Sequence, residues 1–370
     1  MGAATIFDIP AMQPPPGLQS NFDNHPASLF PVILGVGVST MVLMTIAVGI
    51  RIYTKSMILK DMRREEYFAI VATAGIILWD SIFIHVSLRG FSRHLWDIRA
   101  VDIPYLAYMS YLAEISNAPT MFAAKCSILF QLRTIFCTGQ SRDSVFWIIN
   151  ALLALNAGYY TSAIFTFVFQ CTPREKAWNP LMEGYCINVA AATVVSGAVN
   201  LFLDIGILFT PLWAIWHLQL PLKRKLGISA VFGVGILTCA IAAVGVAFRI
   251  PLLTDPDLTW WISKVGIWTM MEYFGTILVG CMPSFPRFFY SLRGTDSPGS
   301  AACSTTHPSS RSTGYHTRKM SKPNTLAGTR ASEESFPTFP AAATWIELED
   351  GRERRGPDED GNWSPLSSAT

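Results

Sequence analysis

Seven long apolar stretches, separated by shorter polar segments, dominate the chain from Leu29 to Tyr290. A helix needs roughly 20 apolar residues to cross the hydrocarbon core of a bilayer, and every stretch reaches that length. The predicted spans are Leu29–Tyr53, Tyr67–Leu88, Ile103–Ile135, Val145–Gln170, Val189–Trp216, Leu226–Leu253 and Trp260–Tyr290. The pattern therefore predicts an all-α protein, a bundle of seven transmembrane helices over residues 29–293.

Composition supports a membrane protein. Hydrophobic residues make up 51% of the chain and charged residues 15%, whereas a soluble domain carries about 25% charge. The net charge of +2 is small and no basic stripe with interleaved aromatic residues is present, so we expect no nucleic-acid partner. The expected partner is the lipid bilayer, and the expected location is a plasma membrane or an endomembrane, crossed several times.

The two ends of the chain differ from its middle. Residues 1–28 are polar and rich in proline, without the basic start of a cleavable signal peptide, and we expect a disordered extracellular segment. Residues 294–370 are dominated by Ser, Thr, Pro, Gly and mixed charges. Such a segment buries too little apolar surface to offset its ordering entropy, so we expect a disordered cytosolic tail.

Basic residues in the loops predict an orientation. The first, third and fifth loops, counted with Arg51 and Arg133 at the adjoining helix ends, hold ten Lys and Arg residues, including the run Lys223, Arg224, Lys225, while the other three, counted with Arg249, hold six. Because cytoplasmic loops carry an excess of basic residues, the counts favour an outside N-terminus and an inside C-terminus. Arg133 and the run Lys223, Arg224, Lys225 are then candidates for contact with a cytosolic signalling protein, although this bias alone would also leave basic residues there.

The seven cysteines show no paired spacing typical of a metal site, and we expect none. Cys171 and Cys186 flank the fourth loop, which the predicted orientation places on the oxidising side. A disulfide between them would clip the loop between the fourth and fifth helices. Two free thiols are the alternative.

Six sequence features in order resemble the fungal rhodopsin-domain family. They are Gly90–Asp97, Lys125–Arg133, the Cys171–Cys186 segment with Pro173 and Trp178, Asp204 with Pro211, Leu218–Gly227, and Trp268 with Glu272 and Pro283. That family comprises fungal integral membrane proteins, including a satratoxin-cluster type and receptor-like proteins associated with pathogenic development. The resemblance implies a rhodopsin-like seven-helix architecture.

The chain departs from the family pattern at two places. Many relatives have paired aspartates at the start of the second helix, where this chain has Glu65 and Glu66, and no Cys-rich segment precedes the first predicted helix. The family label also suggests retinal, which needs a lysine deep in the bundle with a nearby carboxylate. Lys264 lies about one turn from the outer end of the seventh helix, and Lys125 lies beyond the midpoint of the third, nearer its cytosolic end, so we expect no retinal and no other cofactor.

Polar residues inside the predicted spans are the candidates for function, because each would cost a few kcal/mol facing lipid. The candidate acids are Asp80, Glu114, Asp204 and Glu272; the candidate ligand contacts are Glu114, Asn117, Asn200, Asp204, Trp268 and Glu272. Helical spacing places Asn200 with Asp204, and Trp268 with Glu272, on common faces. We therefore expect a polar-lined cavity between the third, fifth and seventh helices.

Two other interpretations of these residues stay open. Polar groups can simply hold helices in register through hydrogen bonds worth about 0.6 kcal/mol each. Lys125 can extend to the inner interface, where it would contact a partner, or it can pair with an interior carboxylate.

Three functions follow as hypotheses. The first is a receptor-like sensor of a small or surface-borne ligand, in which binding shifts the population between two helix arrangements. The second is an intramembrane cyclase or isomerase of secondary metabolism, because a carboxylic acid held protonated in an apolar site can act as a general acid. The third is a transporter, although the sequence shows no internal repeat.

Overall fold

A computed structural model describes residues 9–22, 28–136, 144–179, 181–217 and 222–292. The predicted tail of residues 294–370 lies outside the described residues. The helices are α1 (Phe30–Tyr53), α2 (Arg64–Val86), α3 (Ile103–Phe136), α4 (Ser144–Val168), α5 (Val189–His217), α6 (Leu222–Arg249), α7 (Leu258–Cys281) and α8 (Phe285–Leu292). The first seven coincide with the seven predicted stretches, which confirms the all-α prediction.

Six of the described helices are long and apolar enough to cross a membrane, and they correspond to α1, α2, α4, α5, α6 and α7. Helix α3 is the longest at 34 residues but is not among the six. Its apolar character is diluted by polar residues such as Glu114, Lys125 and Gln131. Length alone would let α3 span the membrane, since a residue adds about 1.5 Å to a helix.

Helix α3 is a central element of the bundle. It packs against α2, α4 and α7, while α1 packs on α2 and α7, and α6 packs between α5 and α7. Two glycines allow close approach of α2 to its neighbours. A methyl group at position 75 would lie 2.5 Å from Thr120 Oγ1 of α3, and one at position 266 would lie 2.0 Å from Phe83 Cζ. Small residues at such crossings are typical of membrane helix packing.

Many large apolar side chains point away from the bundle. On α1, Val42, Leu43 and Ile46 are each more than half exposed, as are Phe165 and Phe169 at the end of α4. In water such a surface would be unfavourable, because the free energy falls when apolar area is removed from water. The outward-facing side chains therefore suit a hydrocarbon environment.

One end of the bundle carries the α2–α3, α4–α5 and α6–α7 connections, and we call it the disulfide end. There, β1 (Cys171–Thr172) and β2 (Tyr185–Cys186) form a two-stranded antiparallel ribbon. Residues 9–22 lie against the α2–α3 connection, and the amide of Ala11 donates to the carbonyl of Ile98 at 2.9 Å. The sequence predicts disorder for this segment, but backbone pairing gives it defined contacts.

The other end carries the α1–α2 connection and the start of α8. Helix α1 continues into a wider turn, Thr54–Ile58, before the chain reverses. Helix α8 follows α7 after a short 3-10 turn, and the ring of Phe288 stands edge-on to the ring of Tyr53 at 6.2 Å between centroids. This contact ties the short α8 to the end of α1.

The contact between Gly266 and Phe83 generates a prediction about packing. We expect Gly266→Ala to destabilise the protein by about 1–3 kcal/mol, because the added methyl group must displace a buried ring. The matched control is Gly158→Ala on α4, where a methyl group meets nothing within 4 Å. Thermal unfolding in detergent should show a lower midpoint for Gly266→Ala only. Equal midpoints for both variants would contradict this close packing.

Candidate functional site

Lys125 and Asp204 form an ion pair in the middle of the bundle. The Lys125 Nζ atom lies 2.7 Å from Asp204 Oδ1 and donates a further hydrogen bond of 2.9 Å to the backbone carbonyl of Asn200. The Lys125 side chain is 0% exposed and that of Asp204 is 9% exposed. The pair therefore joins α3 to α5 where neither charge is solvated.

The side chain of Asn200 extends this pair to two more helices. Its Nδ2 group donates to Glu272 Oε1 on α7, and its Oδ1 atom accepts a 2.6 Å hydrogen bond from the Tyr160 hydroxyl on α4. Asn200 and Asp204 lie one turn apart on α5, so both reach the same interior space. We call Lys125, Asp204, Asn200, Glu272 and Tyr160 the polar network.

One oxygen of the network has no hydrogen-bond partner among the described residues. Asp204 Oδ2 is buried and finds no hydrogen-bond donor in the part of the chain that the structure describes. Asp204 also lines a cavity of about 50 Å³ between α3, α5, α6 and α7. The other lining residues are mainly apolar: Ile128, Leu132, Ile207, Leu208, Pro211, Phe232, Gly235, Thr238, Cys239, Thr276 and Val279. A space of this size holds one or a few water molecules.

Arg249 adds a second buried cation near the network. It is the last residue of α6, is 9% exposed, and its Nη2 atom lies 3.4 Å from the Thr269 hydroxyl on α7. Its Nη1 atom has no hydrogen-bond partner among the described residues. Close approach is possible because the facing residue on α5 is Gly197, where a methyl group would lie 2.5 Å from Nη1.

The predicted polar cavity between α3, α5 and α7 is thus mostly a packed network. Asn200, Asp204 and Glu272 come together as the spacing on α5 and α7 predicts, and they join Lys125. The sequence leaves two placements open for Lys125, and the structure has the interior one. A contact with a partner at the membrane surface needs an accessible side chain, which Lys125 lacks.

Four predicted residues lie elsewhere. Glu114 is half-buried and interacts with the side chain of Gln170 at the end of α4. Asn117 Oδ1 accepts a 2.5 Å hydrogen bond from the Tyr273 hydroxyl. Trp268 stacks on the ring of Phe248 of α6, and Asp80 is 1% exposed with no partner for Oδ1 within the described chain. The sequence places these side chains inside the bundle but does not give their partners.

The predicted disulfide is present. Cys171 and Cys186 are bonded, with 2.07 Å between the sulfur atoms, and they are directly opposed in the β1–β2 ribbon. Within the connection that they close, Trp178 packs on Tyr108 and Tyr111 of α3, with 5.3 and 5.5 Å between ring centroids. The disulfide therefore fixes a loop that covers the start of α3.

A histidine connects two loops at the same end. His94 Nδ1 lies 2.5 Å from Asp257 Oδ2, and the His94 ring is stacked between Trp96 and Trp260 at 4.3 and 4.2 Å between centroids. The amide of Leu95 donates to the other Asp257 oxygen at 2.9 Å. These contacts hold the α2–α3 connection against the start of α7, and they explain why His and Trp occur together in Gly90–Asp97.

A cluster at the opposite end is absent from the sequence prediction. Arg51 of α1 is 1% exposed, and its Nε atom lies 2.6 Å from Glu66 Oε2 of α2. Its Nη1 atom donates to Gln131 Oε1 of α3 at 3.0 Å and to the Gly280 carbonyl of α7 at 2.5 Å. This Arg51 cluster joins four helices. From sequence, Arg51 is counted with the first loop, because a basic residue near the end of an apolar stretch usually marks a membrane boundary.

Lys264, the lysine of the seventh helix, lies in the second turn of α7. The Lys264 ammonium group stands over the rings of Trp260 and Trp261, 5.1 and 4.1 Å from their centroids, as in a cation–π contact. The absence of retinal stays a prediction. Among the described residues, no three His, Cys, Asp or Glu side chains are grouped to hold a metal ion.

Long apolar helices around buried, mutually paired polar groups define the chain as an integral, multi-pass helical membrane protein. It belongs to the fungal rhodopsin domain family, whose model matches residues 50–290. The matched region contains the polar network, the Arg51 cluster and the disulfide.

The chain is also similar to several individual proteins. A SAT4 family membrane protein of Emericella nidulans is 31% identical over 58% of this chain and 54% of its own length, so this chain spans about half of that relative. Fugralins biosynthesis cluster protein 2 of Gibberella zeae is 27% identical over 77% of this chain and 72% of its own. Receptor GIN3 of Arthrobotrys oligospora is 22% identical over 78% and 74%. No solved structure gives a significant match.

The Lys125–Asp204 pair generates a prediction about stability. We expect Lys125→Met and Asp204→Leu each to cost about 3–5 kcal/mol, because each leaves one unpaired buried charge. The double variant should cost far less than the two single losses together. Arg63→Met, which breaks the partly exposed pair with Asp61, is the control and should cost under about 1 kcal/mol.

Unfolding of the wild type and the four variants in lipid nanodiscs provides the measurement. Additive losses in the double variant would show that the two side chains do not interact, which contradicts the pairing.

Proposed function

We propose that this protein is a receptor-like sensor with seven spans, N-terminus outside, that responds to a small or surface-borne ligand. The observation that carries the proposal is the polar network, which connects α3, α4, α5 and α7 through charged and polar side chains and in which one carboxylate oxygen has no partner among the described residues. A sensor needs an element with two arrangements of similar free energy. An incompletely paired network beside a small cavity meets that need better than a fully apolar core.

The proposed orientation rests on three features. Loop charges favour an inside C-terminus, the disulfide requires an oxidising compartment, and the N-terminal residues 9–22 pack at the disulfide end. The disulfide end is then the ligand side. Helix α3 also crosses the membrane, which brings the number of spans to seven. Its polar residues are tolerated because they pair inside the bundle.

The signal would leave through the opposite end. Ligand binding would change the spacing of α3, α5 and α7 in the polar network, and the Arg51 cluster would transmit the change because it contacts α3 and α7 as well. Arg133 is exposed at the end of α3, 5.1 Å from the centroid of the Phe146 ring, and is a candidate partner contact. Lys223, Arg224 and Lys225 lie outside the described side chains and stay candidates from sequence.

The relatives support a role of this kind without fixing it. One similar protein is named a receptor and another a biosynthesis cluster protein. We infer a membrane protein that couples an external signal to development or secondary metabolism.

An intramembrane cyclase or isomerase is the second candidate. The unpaired oxygen of Asp204 beside a largely apolar cavity favours it, as does the cluster relative. The cavity argues against it, because about 50 Å³ is far below the roughly 300–1,000 Å³ of a site for an organic substrate. The polar network would also suit a transporter. A transporter, however, needs a continuous path for its substrate across the membrane.

The experiment compares a fungal strain that lacks the gene with strains restored by wild type, Asp204→Asn, Glu272→Gln or Glu183→Gln. Glu183 is exposed in the α4–α5 connection and provides the control. We expect the two network variants to lose the developmental or surface-induced transcript response, while Glu183→Gln retains it. Metabolite profiles and equal membrane abundance are measured alongside.

The enzyme alternative gives a different result. A defined precursor would accumulate in the deletion strain and in the amide variants, and wild type would remove it. That outcome would contradict the sensor and identify the acid, whereas a changed response without a precursor supports the sensor.

A further inference from the structure

A pocket of about 300 Å³ opens at the disulfide end, apart from the polar network. Its floor is the α2–α3 connection, and its side is the N-terminal segment. The lining residues are Phe22, Arg89, Gly90, Arg93, Asp97, Ile98, Arg99 and Asp102. The volume reaches the lower limit of known small-molecule sites, which run from roughly 300 to 1,000 Å³.

Backbone pairing builds the walls of this pocket. Pro10 and Arg99 form an antiparallel bridge, and the amide of Ala100 donates to the carbonyl of Ile9 at 2.9 Å. The amide of Asn21 donates to Asp97 Oδ1 at 3.0 Å, which brings Phe22 to the rim. At Gly90 the backbone turns with a φ of 121°, a conformation that favours glycine. The pocket is therefore formed by ordered backbone.

The charge of the lining is positive. Three arginines and two aspartates give a formal excess of one positive charge. Asp97 already accepts the Asn21 amide and interacts electrostatically with Arg93, so its negative charge is partly compensated within the protein. The guanidinium of Arg99 stands over the Phe22 ring at 5.6 Å, and that of Arg89 over the Tyr105 ring at 5.9 Å. Aromatic faces hold both groups near the pocket.

Arg93 is a half-buried cation of the lining, whereas Arg89 is exposed. Burial lowers the pKa of Arg93, and Asp97 opposes that effect only in part. A guanidinium that has lost some of its water gains more from an anionic ligand than a fully hydrated one, and its planar donors match a carboxylate in two parallel hydrogen bonds. The pocket surface is mainly polar, and the half-buried Phe22 adds an apolar edge beside these donors.

We propose that this pocket binds a small organic carboxylate whose carboxyl group meets Arg93 and Arg89 and whose ring or short apolar body lies against Phe22. A single excess positive charge suits a monoanion better than a phosphate dianion. The role of this pocket as the ligand site of a sensor rests on the proposed function. Binding itself does not, because it can be measured on the purified protein.

The test uses fluorine NMR of para-fluorobenzoate with the full-length protein in lipid nanodiscs, and empty nanodiscs as the blank. Wild type should bind the probe, and Arg93→Gln and Arg89→Gln should weaken binding roughly tenfold to a hundredfold, the loss of a charge-assisted hydrogen bond. The matched control is Arg174→Gln, an exposed arginine at the same end that stands over the Phe169 ring. It should leave binding unchanged.

Two further probes define the ligand class. The neutral para-fluorobenzamide should bind at least about tenfold more weakly than the acid, and para-fluorophenyl phosphate should not bind more tightly. Equal binding of acid and amide, tighter binding of the phosphate, or full binding by Arg93→Gln with an unchanged melting temperature would each overturn the proposal. Binding without any transcript response in cells would contradict the sensor and leave the carboxylate site standing.

Discussion

The ion pair between Lys125 and Asp204 is the contact on which the rest of the bundle depends. An unpaired charge in the membrane interior is among the most expensive groups that a protein can contain. Pairing lowers that cost and fixes the distance between α3 and α5 at a point where both helices are surrounded by others. Asn200, held on α5 one turn away, then sets where α4 and α7 lie through Tyr160 and Glu272.

Charged side chains form contacts at three levels along the bundle, and the levels differ in how completely these groups are paired. At the disulfide end, His94 and Asp257 hold loops together while aromatic rings cover them. At the opposite end, Arg51 makes hydrogen bonds to three neighbouring helices and is well satisfied. Within the described chain, the network between them retains an unpaired carboxylate oxygen beside a cavity. A change of helix arrangement would meet the least resistance at this middle level, which suits a sensor.

Hydropathy predicted the helices closely because the signal is local: each span needs only its own apolar residues, as α1 and α7 show. Helical spacing also predicted that Asn200 and Asp204 share a face. Long-range partners were beyond reach. Nothing near Tyr160 or Tyr273 indicates that their hydroxyls bond to Asn200 and Asn117, and Arg51 resembles an ordinary boundary residue. Such pairings depend on how helices distant in sequence pack, which periodicity does not encode.

We propose that internal pairing of its polar side chains lets α3, the least apolar of the seven long helices, cross the membrane as well and bring the number of spans to seven. Epitope tags at both termini, probed in spheroplasts before and after permeabilisation, test this directly. Seven spans place the termini on opposite sides, so the N-terminal tag should be accessible at once and the C-terminal tag only after permeabilisation. Equal accessibility of both tags would mean an even number of spans and would contradict a seven-span bundle.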